Sequence, residues 1–573
     1  MNSEVDLLIV GGGPAGLLAS IIAARIGLSY HILESRSGTH PEPSAHVFKT
    51  HTMEVYRRIG VADELFAKGT PVEQQQGIIW CESVTGLIYG RLDLTGKKGR
   101  VARFTEISPA CSLNMPQSRV EPVLHRRLVE IAGKDPVQFG TRLEDFTQDE
   151  DGVTATVRGP DGLRQMRARY IIGADGAASQ VRRSAGIAMQ GPQALAHFLA
   201  IHIRSDMTDI IAERPSILFF IRTHRLDGFF IVHESVGSQV FMMRFDPETT
   251  PFEFFDEERC RAIMDEALGS ARDYSISSID RWAMSAQVAD HYRNGRALLV
   301  GDAGHRFPPT GGLGLNTGVE DVENLLWKIA AVLRGQASDA LLDSYEVECR
   351  PIAIRNTDQS MFNFERMGRV NRALQADQGS DAVRDLIMAL QADGNHPAFA
   401  AIQQAVDDQI DHFAFLELEM AVKIRDSAAI RQADRSIALP VPAVEGYQPS
   451  FTPGGHIPHF WISPDTSSLD LLSFDTMTLF APIGDMAAWR AAVSALPSHL
   501  MPVNIVAIEG EMRSVRARVA DYWGDYPYAI LVRPDGRIAW VEPETMHDRG
   551  IALAAAVSAI TQSPNSQNKE MVA

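Results

Sequence analysis

A glycine-rich turn between a short apolar strand and a helix limits what this chain can fold into more than any other feature. The strand reads Val-Asp-Leu-Leu-Ile-Val over residues 5–10, the pattern of a parallel strand buried on both faces. The turn that follows is Gly11-Gly12-Gly13-Pro14-Ala15-Gly16, which opens a helix predicted over 17–26. Its glycines allow a tight turn and close approach of the backbone to a pyrophosphate, and the first N–H groups of the helix favour the same anion.

A carboxylate at the end of the next strand completes this unit. Tyr30 to Leu33 reads as a strand, and Glu34 follows it. A carboxylate at this place can accept hydrogen bonds from both hydroxyls of an adenosine ribose. The order of strand, turn, helix, strand and carboxylate predicts a βαβ dinucleotide-binding unit over residues 5–34.

Two later segments place an aspartate after an apolar strand. Asp175 follows the run Tyr170 to Gly173, although this arrangement is also common in simple turns. Asp302 follows the run Ala297 to Gly301 and precedes a loop rich in glycine and proline, residues 308–316, that leads into a long amphipathic helix. Such an aspartate can bind ribityl hydroxyls, and the N–H groups of such a loop can face a ring carbonyl that gains negative charge on reduction.

Composition narrows the class of protein. The 573 residues include 54 Lys and Arg against 72 Asp and Glu, and a net charge of −18 argues against nonspecific binding to nucleic acid or an anionic membrane. The four cysteines form no CxxC pair, and no stretch has the length and apolar character of a membrane-spanning helix. The histidines show no metal-ligand spacing, so no metal is expected. These features predict a soluble protein of a reducing, cytoplasmic compartment.

The three motifs, in this order, resemble the flavin-binding set of single-component aromatic hydroxylases, the para-hydroxybenzoate hydroxylase fold, over about residues 1–400. Segments such as Pro116 to Leu124 are most similar to the phenol and dichlorophenol hydroxylase branch. The resemblance implies an α/β fold with a Rossmann-like FAD domain, an antiparallel-sheet substrate domain and a thioredoxin-like C-terminal domain. The implied boundaries are 1–75, 100–185 and 290–400 for the FAD domain, 76–99 and 186–289 for the substrate domain, 401–460 for a helical, proline-rich connection, and 461–573 for the C-terminal domain.

The C-terminal domain is expected to be structural and separable. No cysteine follows Cys349, so the redox CxxC of thioredoxins is missing, although Tyr526-Pro527 stands where thioredoxins place a proline before a strand. The prolines near 440–460 predict a boundary before it. We expect this domain to support assembly, in a homo-oligomer such as a dimer or a dimer of dimers.

The resemblance also implies which residues bind FAD. It assigns the turn, with Gly11, Gly13, Pro14, Ala15 and Gly16, to the pyrophosphate, and Glu34 to the adenosine ribose. Gln117 and Asp302 are assigned to the ribityl chain, and Asp175 to the pyrophosphate and to nicotinamide docking. The loop assigned to the flavin ring contributes Pro309, Gly314, Leu315 and Asn316. Many relatives carry an arginine where this chain has Ser44, and Arg36 or Lys49 is the candidate to replace it. No second GxGxxG unit is present, so NAD(P)H is expected to bind transiently over the flavin.

His46 is the candidate catalytic residue. Counted back from Thr52-Met53-Glu54, it falls where the resembled phenol hydroxylases place an acid–base residue beside the substrate. An imidazole, with an ordinary pKa near 6.5, suits removal of a phenolic proton near neutral pH. The alternative is a loop histidine bonded to the backbone. His51 is expected to be a helix cap or a surface group.

Other polar and aromatic residues have two interpretations. Phe219, Phe220, Phe229 and Phe230 either line an aromatic pocket or fill the core of the antiparallel sheet, and Phe220 with Arg222 is the candidate pair for substrate contact. His305 is expected to be satisfied by backbone. Glu320, Asp321 and Glu323 are expected to form a charge cluster at a helix start rather than a metal site.

The leading hypothesis is a flavoprotein monooxygenase that hydroxylates a phenolic compound with NAD(P)H and O2 through a C4a-hydroperoxyflavin. One alternative is a flavoenzyme of another reaction type on the same fold, a halogenase or a reductase. The Trp-x-Trp-x-Ile-Pro segment of flavin halogenases is absent. The other alternative is a non-catalytic flavin sensor, suggested by the C-terminal domain without CxxC. The sequence leaves open the substrate, the ring position and the choice between NADH and NADPH.

Overall fold

The computed structural model of the chain describes residues 4–41, 43–95, 107–413, 416–431, 447, 449–508 and 528–562, so Tyr526-Pro527 and part of the proline-rich connection lie outside it. Its α-helices, in chain order, are α1 (Pro14–Arg25), α2 (Thr50–Ile59), α3 (Ala62–Lys68), α4 (Gln117–Ala132), α5 (Gln180–Ser184), α6 (Thr208–Glu213), α7 (Glu257–Leu268), α8 (Gly314–Leu333), α9 (Asp343–Ala373), α10 (Ser380–Ala392), α11 (Ala398–Asp407), α12 (Ile410–Phe413), α13 (Leu416–Met420), α14 (Met486–Ser494) and α15 (Arg549–Ile560).

The first large sheet is built around the predicted βαβ unit. Val5–Val10 lies in its middle, parallel to Tyr30–Glu34 on one side and to Gly162–Gly173 on the other. In spatial order its strands are Arg293–Asn294, Ala297–Leu299, Gly162–Gly173, Val5–Val10, Tyr30–Glu34 and Val137–Phe139, with Val153–Gly159 and Arg142–Gln148 as an antiparallel arm. The carboxyl ends of the parallel strands meet at one edge, and this brings the three glycine-containing motifs together.

Helix α1 begins at Pro14, three residues before the predicted start. Gly13 takes an extended conformation as the N-cap, and proline fits the first helical position because it has no N–H group to leave unpaired. The helix is apolar on nearly all sides because it packs between the sheet, α4 and α8.

A second, seven-stranded sheet is mostly antiparallel. In spatial order its strands are Tyr274–Met284, Ala196–Ser205, Gln239–Phe245, Asp227–Val232, Ser216–Arg222, Gly77–Cys81 and Ile88–Asp93. Phe219 and Phe230 lie on one face of this sheet, in a core shared with Met264 of α7. Their neighbours Phe220 and Phe229 point to the opposite face because side chains alternate along a strand. The four phenylalanines therefore divide into two core residues and two residues of the other face.

Three small sheets complete the connections. A three-stranded sheet joins Met189–Gln190, Gln287–Ala289 and His305–Arg306, and two pairs join Val47–Phe48 to Leu113–Asn114 and Trp461–Ser463 to Thr466–Ser467. The pairing of Val47–Phe48 with Leu113–Asn114 matters for the site because it sets His46 beside Asn114.

The C-terminal unit is a four-stranded sheet with helices. Its strands lie in the order Val503–Ile508, Met477–Pro482, Ile530–Val532 and Ile538–Val541, the first two parallel and the others antiparallel. Its core includes Trp489 and Trp540 together with Trp327 and Ala331 of α8. The C-terminal unit therefore shares a core with α8, the helix that follows the third motif.

Buried charges join the same two parts of the chain. Arg533 donates two hydrogen bonds of 2.8 Å to the carboxylate of Glu348, which also accepts one of 2.9 Å from Lys328. The side chains of all three residues are fully buried. Asp535 pairs with Arg533 as well, and Asn324 donates to Glu348 and Asp535. We call these five residues the junction cluster.

Helices long and apolar enough to cross a membrane are absent from the described part of the chain.

Candidate active site

A cavity of about 1870 Å³ lies between the carboxyl edge of the first sheet and the seven-stranded sheet. Pockets for a single small molecule usually measure about 300–1,000 Å³. This cavity therefore has room for a dinucleotide and a second ligand side by side. Its lining includes Gly11, Gly13, Pro14, Ala15, Glu34, His46, Gln117, Asp175, Phe220, Asp302, Pro309, Gly314 and Leu315, but not Gly16, Arg222 or Asn316.

The glycines of the first turn have different reasons to be glycine. A Cβ on Gly11, whose φ is 110°, would overlap the carbonyl of Ala174, and a Cβ on Gly16 would overlap the carbonyl of Gly11. Both positions serve the packing of the turn itself. Nothing lies within 4 Å of a Cβ built on Gly13, which faces the cavity. The space beside Gly13 is a cradle of the kind that a close-lying pyrophosphate needs.

Two helix N-termini reach this cavity without side-chain caps. α1 begins after Gly13 and α8 begins after Leu313, and neither helix has an acidic residue in its first turn. Their unpaired N–H donors and partial positive charges therefore face the cavity. The α1 end lies at the Gly13 cradle, and the α8 end lies at Gly314 and Leu315. The arrangement offers one anion site for a pyrophosphate and another for a ring carbonyl, so the residues present fit FAD.

The carboxylates of Glu34 and Asp302 both face the cavity, but only that of Glu34 accepts hydrogen bonds from the described residues. Glu34 accepts hydrogen bonds from the Gly12 N–H at 2.7 Å on Oε2, and from the Arg36 N–H at 2.8 Å and the Ser35 hydroxyl at 3.2 Å on Oε1. These contacts fix its carboxylate and leave a lone pair on Oε2. Asp302 has no hydrogen-bond partner among the described residues. Burial raises its pKa, which means that the protein alone does not compensate its charge.

Asp175 faces the cavity, but its carboxylate is already engaged. It accepts hydrogen bonds from the Ser179 hydroxyl at 2.5 Å, the Gln180 N–H at 2.6 Å and the Val181 N–H at 3.1 Å. It therefore caps the start of α5 and shapes the wall. Arg306 lines the same region, and sequence reasoning missed it. The available signal was a cation directly after His305 in the third motif.

The cation expected in place of Ser44 is Arg36 rather than Lys49. Lys49 donates a hydrogen bond of 2.7 Å to the buried carboxylate of Glu419. Arg36 lines the cavity, with its side chain half-exposed and 3.8 Å from Glu34. Only Arg36 of these two has a cationic group available to an anionic ligand.

Asn316 supports the loop beside α8 and does not face the cavity. Its Oδ1 accepts hydrogen bonds from the Lys49 N–H at 2.8 Å and the Thr52 hydroxyl at 2.7 Å, and its Nδ2 donates to the carbonyls of Val47 and Gly312. It joins the third motif to the segment that carries His46. Leu315 and Pro309 keep their place at the cavity wall.

The sequence-based interpretations of two histidines are wrong. His305 is satisfied by a carboxylate, not by backbone: its Nε2 lies 3.1 Å from Oδ2 of Asp321, which also accepts the N–H of Gly301. His51 is buried, with Glu54 at 3.2 Å and Glu323 at 3.0 Å. Burial opposes its protonation, but these two hydrogen bonds raise the pKa of His51 to about 10.

The acidic residues early in α8 are part of the interior. Asp321 and Glu323 are buried, beyond the first turn of the helix, and Glu323 also pairs with Arg58. Burial raises the pKa of Glu320. Asp321 and Glu323 form hydrogen bonds and ion pairs inside the protein, so the expected charge cluster at the helix start is wrong. No group of three or more His, Cys, Asp or Glu within the described ranges is placed to hold a metal ion.

The seven-stranded sheet contributes an apolar wall. Five neighbouring strands each give one side chain to an apolar row that lines the cavity, in the order Trp282, Phe198, Met242, Phe229 and Phe220. Trp282 lies opposite Phe198, and Met242 lies opposite Phe229, which lies opposite Phe220. Phe198 and Met242 are offset by two residues, because Phe198 lies opposite Arg244, which also lines the cavity. The ring centroids of Phe198 and Phe229 lie 6.0 Å apart. Arg222 pairs with Asp227 and lies outside the lining, so the expectation of a substrate contact there is wrong.

His46 lies at the cavity wall, beside this apolar surface. Its Nδ1 is 2.7 Å from Oδ1 of Asn114, and its ring lies 5.3 Å from the ring of His233 in an edge-to-face arrangement. Burial lowers the pKa of His46, and the hydrogen bond to Asn114 opposes that effect. Burial lowers the pKa of His233 further, and its Nδ1 has no hydrogen-bond partner. Sequence reasoning did not bring His233 and Asn114 to the site.

Comparisons with known proteins give the same picture as the geometry. Residues 4–360 match a family of FAD binding domains, and residues 450–564 match the C-terminal domain of aromatic-ring hydroxylases. A 2,4-dichlorophenol 6-monooxygenase of Cupriavidus pinatubonensis is 31% identical, over 94% of this chain and 93% of the relative. The aklavinone 12-hydroxylase RdmE of Streptomyces purpurascens is also 31% identical, over 96% and 98%. A crystal structure of the flavin-dependent monooxygenase PieE with FAD and substrate is 27% identical, with a TM-score of 0.87 over 98% of this chain and 100% of that one.

The chain belongs to the FAD-dependent aromatic hydroxylases, which use NAD(P)H as co-substrate.

Proposed function

We propose that this hydroxylase acts on a phenol and that His46 accepts the phenolic proton. FAD, when bound, takes reducing equivalents from NAD(P)H and activates O2 for transfer to the ring. An aromatic ring reacts far better with an electrophilic oxygen as its phenolate, so a base beside the ring hydroxyl accelerates the transfer. The observation that supports this role most is the position of His46 on the cavity wall with its Nδ1 already bound to Asn114.

The other residues of the cavity would bind and orient FAD. The Gly13 cradle and the α1 N-terminus would hold the pyrophosphate, Glu34 the adenosine ribose, and Asp302 the ribityl hydroxyls. Gln117 faces the cavity next to Ala45 and would also contact the ribityl chain of FAD. The α8 N-terminus, at Gly314 and Leu315, would face the ring carbonyl. Asp175 and Arg306 shape the wall near the phosphates.

The apolar row would hold the aromatic part of the substrate and exclude water. Its five strands span about 19 Å at a strand spacing of about 4.8 Å. A single ring contacts two neighbouring strands of such a row, whereas fused rings contact more of it. The proposal therefore favours phenols whose reacting ring belongs to a larger aromatic system. The relatives include proteins named for both kinds of substrate, a dichlorophenol monooxygenase and an aklavinone hydroxylase.

His46→Gln tests the proposed base. The variant should bind FAD and be reduced by NAD(P)H at the normal rate, because neither step needs this imidazole. Hydroxylation should fall about 100-fold or more, with more peroxide released, because general bases contribute on the order of 100- to 10,000-fold. The loss should shrink above the pKa of the phenol, where the substrate is already ionised.

Rapid-mixing kinetics against pH, with product analysis over phenols of one, two and three fused rings, measures these effects. His197→Gln is the matched control, because His197 also lines the cavity but has no ring nitrogen bonded to Asn114. A His46→Gln enzyme with the normal hydroxylation rate and pH profile would disprove the base role. Equal kcat/KM across the panel would disprove the preference for fused rings.

We also propose that the C-terminal unit is thioredoxin-like and has no thiol redox function. Its strand order, with α14 between the two parallel strands and α15 after the hairpin, supports this fold. No cysteine follows Cys349, so the unit lacks the chemistry of a dithiol. Its contribution is the core and the junction cluster that it shares with α8 and α9.

A further inference from the structure

We infer that Asn114 is a positioning residue, which holds His46 as the tautomer with its proton on Nδ1 and so leaves Nε2 as the nitrogen that accepts the phenolic proton. This inference rests on the proposed function of His46. It follows from the direction of a chain of hydrogen bonds that begins at a backbone carbonyl, and it assigns a role to a residue that does not itself touch the reacting atoms.

The chain joins three side chains and one carbonyl. The Thr70 hydroxyl lies 3.4 Å from the carbonyl oxygen of His233, Nδ2 of Asn114 lies 2.9 Å from Oγ1 of Thr70, and Nδ1 of His46 lies 2.7 Å from Oδ1 of Asn114. Backbone hydrogen bonds hold the same residues in register. The Thr70 N–H donates to the Asn114 carbonyl at 2.9 Å, and the Met115 N–H donates to the His46 carbonyl at 2.9 Å.

The carbonyl fixes the direction of every hydrogen bond in the chain. A carbonyl oxygen only accepts, so the single proton of the Thr70 hydroxyl points to His233. The Thr70 oxygen must then accept from Asn114, which places the amide nitrogen of Asn114 toward Thr70 and its oxygen toward His46. An amide oxygen also only accepts, so Nδ1 of His46 carries the proton. The reversed amide would take the Thr70 proton and leave the His233 carbonyl without this donor.

The surroundings keep His46 neutral, as a base must be before reaction. The ring of His233 lies edge-to-face with it, and His202 also faces the cavity. Lys49, three residues further along the chain, is paired with Glu419. No carboxylate within the described residues is hydrogen-bonded to His46. The burial that lowers its pKa therefore acts without a counter-ion, and the Asn114 contact selects the tautomer without adding charge.

Nitrogen-15 NMR of the FAD-loaded enzyme, labelled at histidine, tests the tautomer directly. Long-range proton–nitrogen spectra distinguish the two neutral tautomers, and the signal missing in His46→Gln identifies His46. We expect Nδ1-protonated imidazole in the native enzyme and in Thr70→Ser, and a shift toward the Nε2-protonated form in Asn114→Leu and Thr70→Val. A native His46 protonated on Nε2, or an Asn114→Leu enzyme with an unchanged tautomer, would overturn the inference.

Kinetics connects the tautomer to the reaction. Asn114→Leu should lower the hydroxylation rate roughly three- to tenfold below the pKa of the phenol, the cost of one lost hydrogen bond, and should leave flavin reduction unchanged. Asn114→Asp keeps the acceptor but adds a charge, so the pH profile of hydroxylation should move to higher pH. An Asn114→Asp enzyme with the native profile would contradict the inference. Normal hydroxylation in His46→Gln would instead remove the base role, while the NMR result would still decide whether Asn114 fixes the tautomer.

Discussion

The cavity and the junction cluster both contain charged side chains, but these side chains are satisfied in opposite ways. In the junction cluster Lys328, Glu348 and Arg533 are fully buried and paired with one another. In the cavity Asp302 accepts no hydrogen bond from the described residues, and two helix N-termini have no side-chain cap. Asp302 is exposed to the cavity, and a ligand that fills the cavity would bury its carboxylate and would have to supply its hydrogen bonds. In these two regions the paired charges join two parts of the chain, and the carboxylate without a hydrogen-bond partner faces the cavity.

Gly13→Glu should give the largest effect and the one most specific to the cavity. Its side chain would place bulk and negative charge in the cradle where the pyrophosphate binds. We expect complete loss of bound FAD, read from the flavin absorbance of the purified protein, with normal far-ultraviolet circular dichroism. Gly394→Glu is the control, because a Cβ on Gly394 also meets nothing within 4 Å and Gly394 lies outside the cavity. Normal FAD content in a folded Gly13→Glu protein would contradict the assignment of the cradle.

Arg533→Met should affect folding rather than the cavity. It leaves the Glu348 and Asp535 carboxylates buried without their main partner, which costs about 3–5 kcal/mol of the free energy of unfolding. Arg384→Met is the control, because Arg384 pairs only with the exposed carboxylates of Asp381 and Asp385 and its loss should cost at most about 1 kcal/mol. Urea unfolding measures both values. Similar losses in the two variants would mean that the junction cluster is not a distinct source of stability.

The pH dependence of stability should report on His51, which lies next to the junction cluster through Glu323 and Arg58. The pKa of His51 is raised from its ordinary value of 6.5 to about 10 in the folded chain. Its contribution is therefore complete below pH 6.5 and is lost as pH rises toward 10, a change on the order of a few kcal/mol. His51→Gln should flatten this part of the stability curve. Parallel curves for the two proteins over this range of pH would contradict the assigned ion pairing.

Asp302→Ala should give the smallest of these effects. Loss of its hydrogen bonds to the ribityl chain should weaken FAD binding by roughly 10- to 150-fold, the equivalent of about 1.5–3 kcal/mol. The apoprotein should not lose stability, because burial already disfavours this carboxylate in the folded chain. Titration of apoprotein with FAD measures the affinity, and Asp280→Ala, on the opposite wall, is the control. An unchanged dissociation constant would exclude Asp302 from the FAD site.

The parts of the fold that were predictable from sequence are those set by local patterns. The strand at 5–10 and the turn at 11–16 follow from a short apolar run and the steric needs of glycine, and the structure confirms both. The meeting of three distant motifs also follows, because parallel strands share one carboxyl edge. The structure begins α1 three residues before the predicted start, because Pro14 is the first helical residue rather than part of the turn.

The errors share a physical cause, because they concern partners that are distant in sequence. His51 looked like a surface group near a helix start, yet Glu323, which raises its pKa, lies on a helix 272 residues away. Asn114 and His233 reach His46 only through the pairing of Val47–Phe48 with Leu113–Asn114 and the packing of the second sheet. The phenylalanine pairs could be divided between core and cavity only when the register of their strands was known.

Helix α8 has the cavity at one end and the shared C-terminal core toward the other, so its length and rotation set how these two regions are placed relative to each other. Its first residues, Gly314 and Leu315, lie at the cavity, while Trp327 and Lys328 lie in the core and junction cluster. Each added residue turns a helix by about 100° and lengthens it by about 1.5 Å. A single insertion or deletion between these points would rotate one end out of register with its partners. Chains that share this architecture should therefore keep the spacing of α8 fixed and vary in length elsewhere.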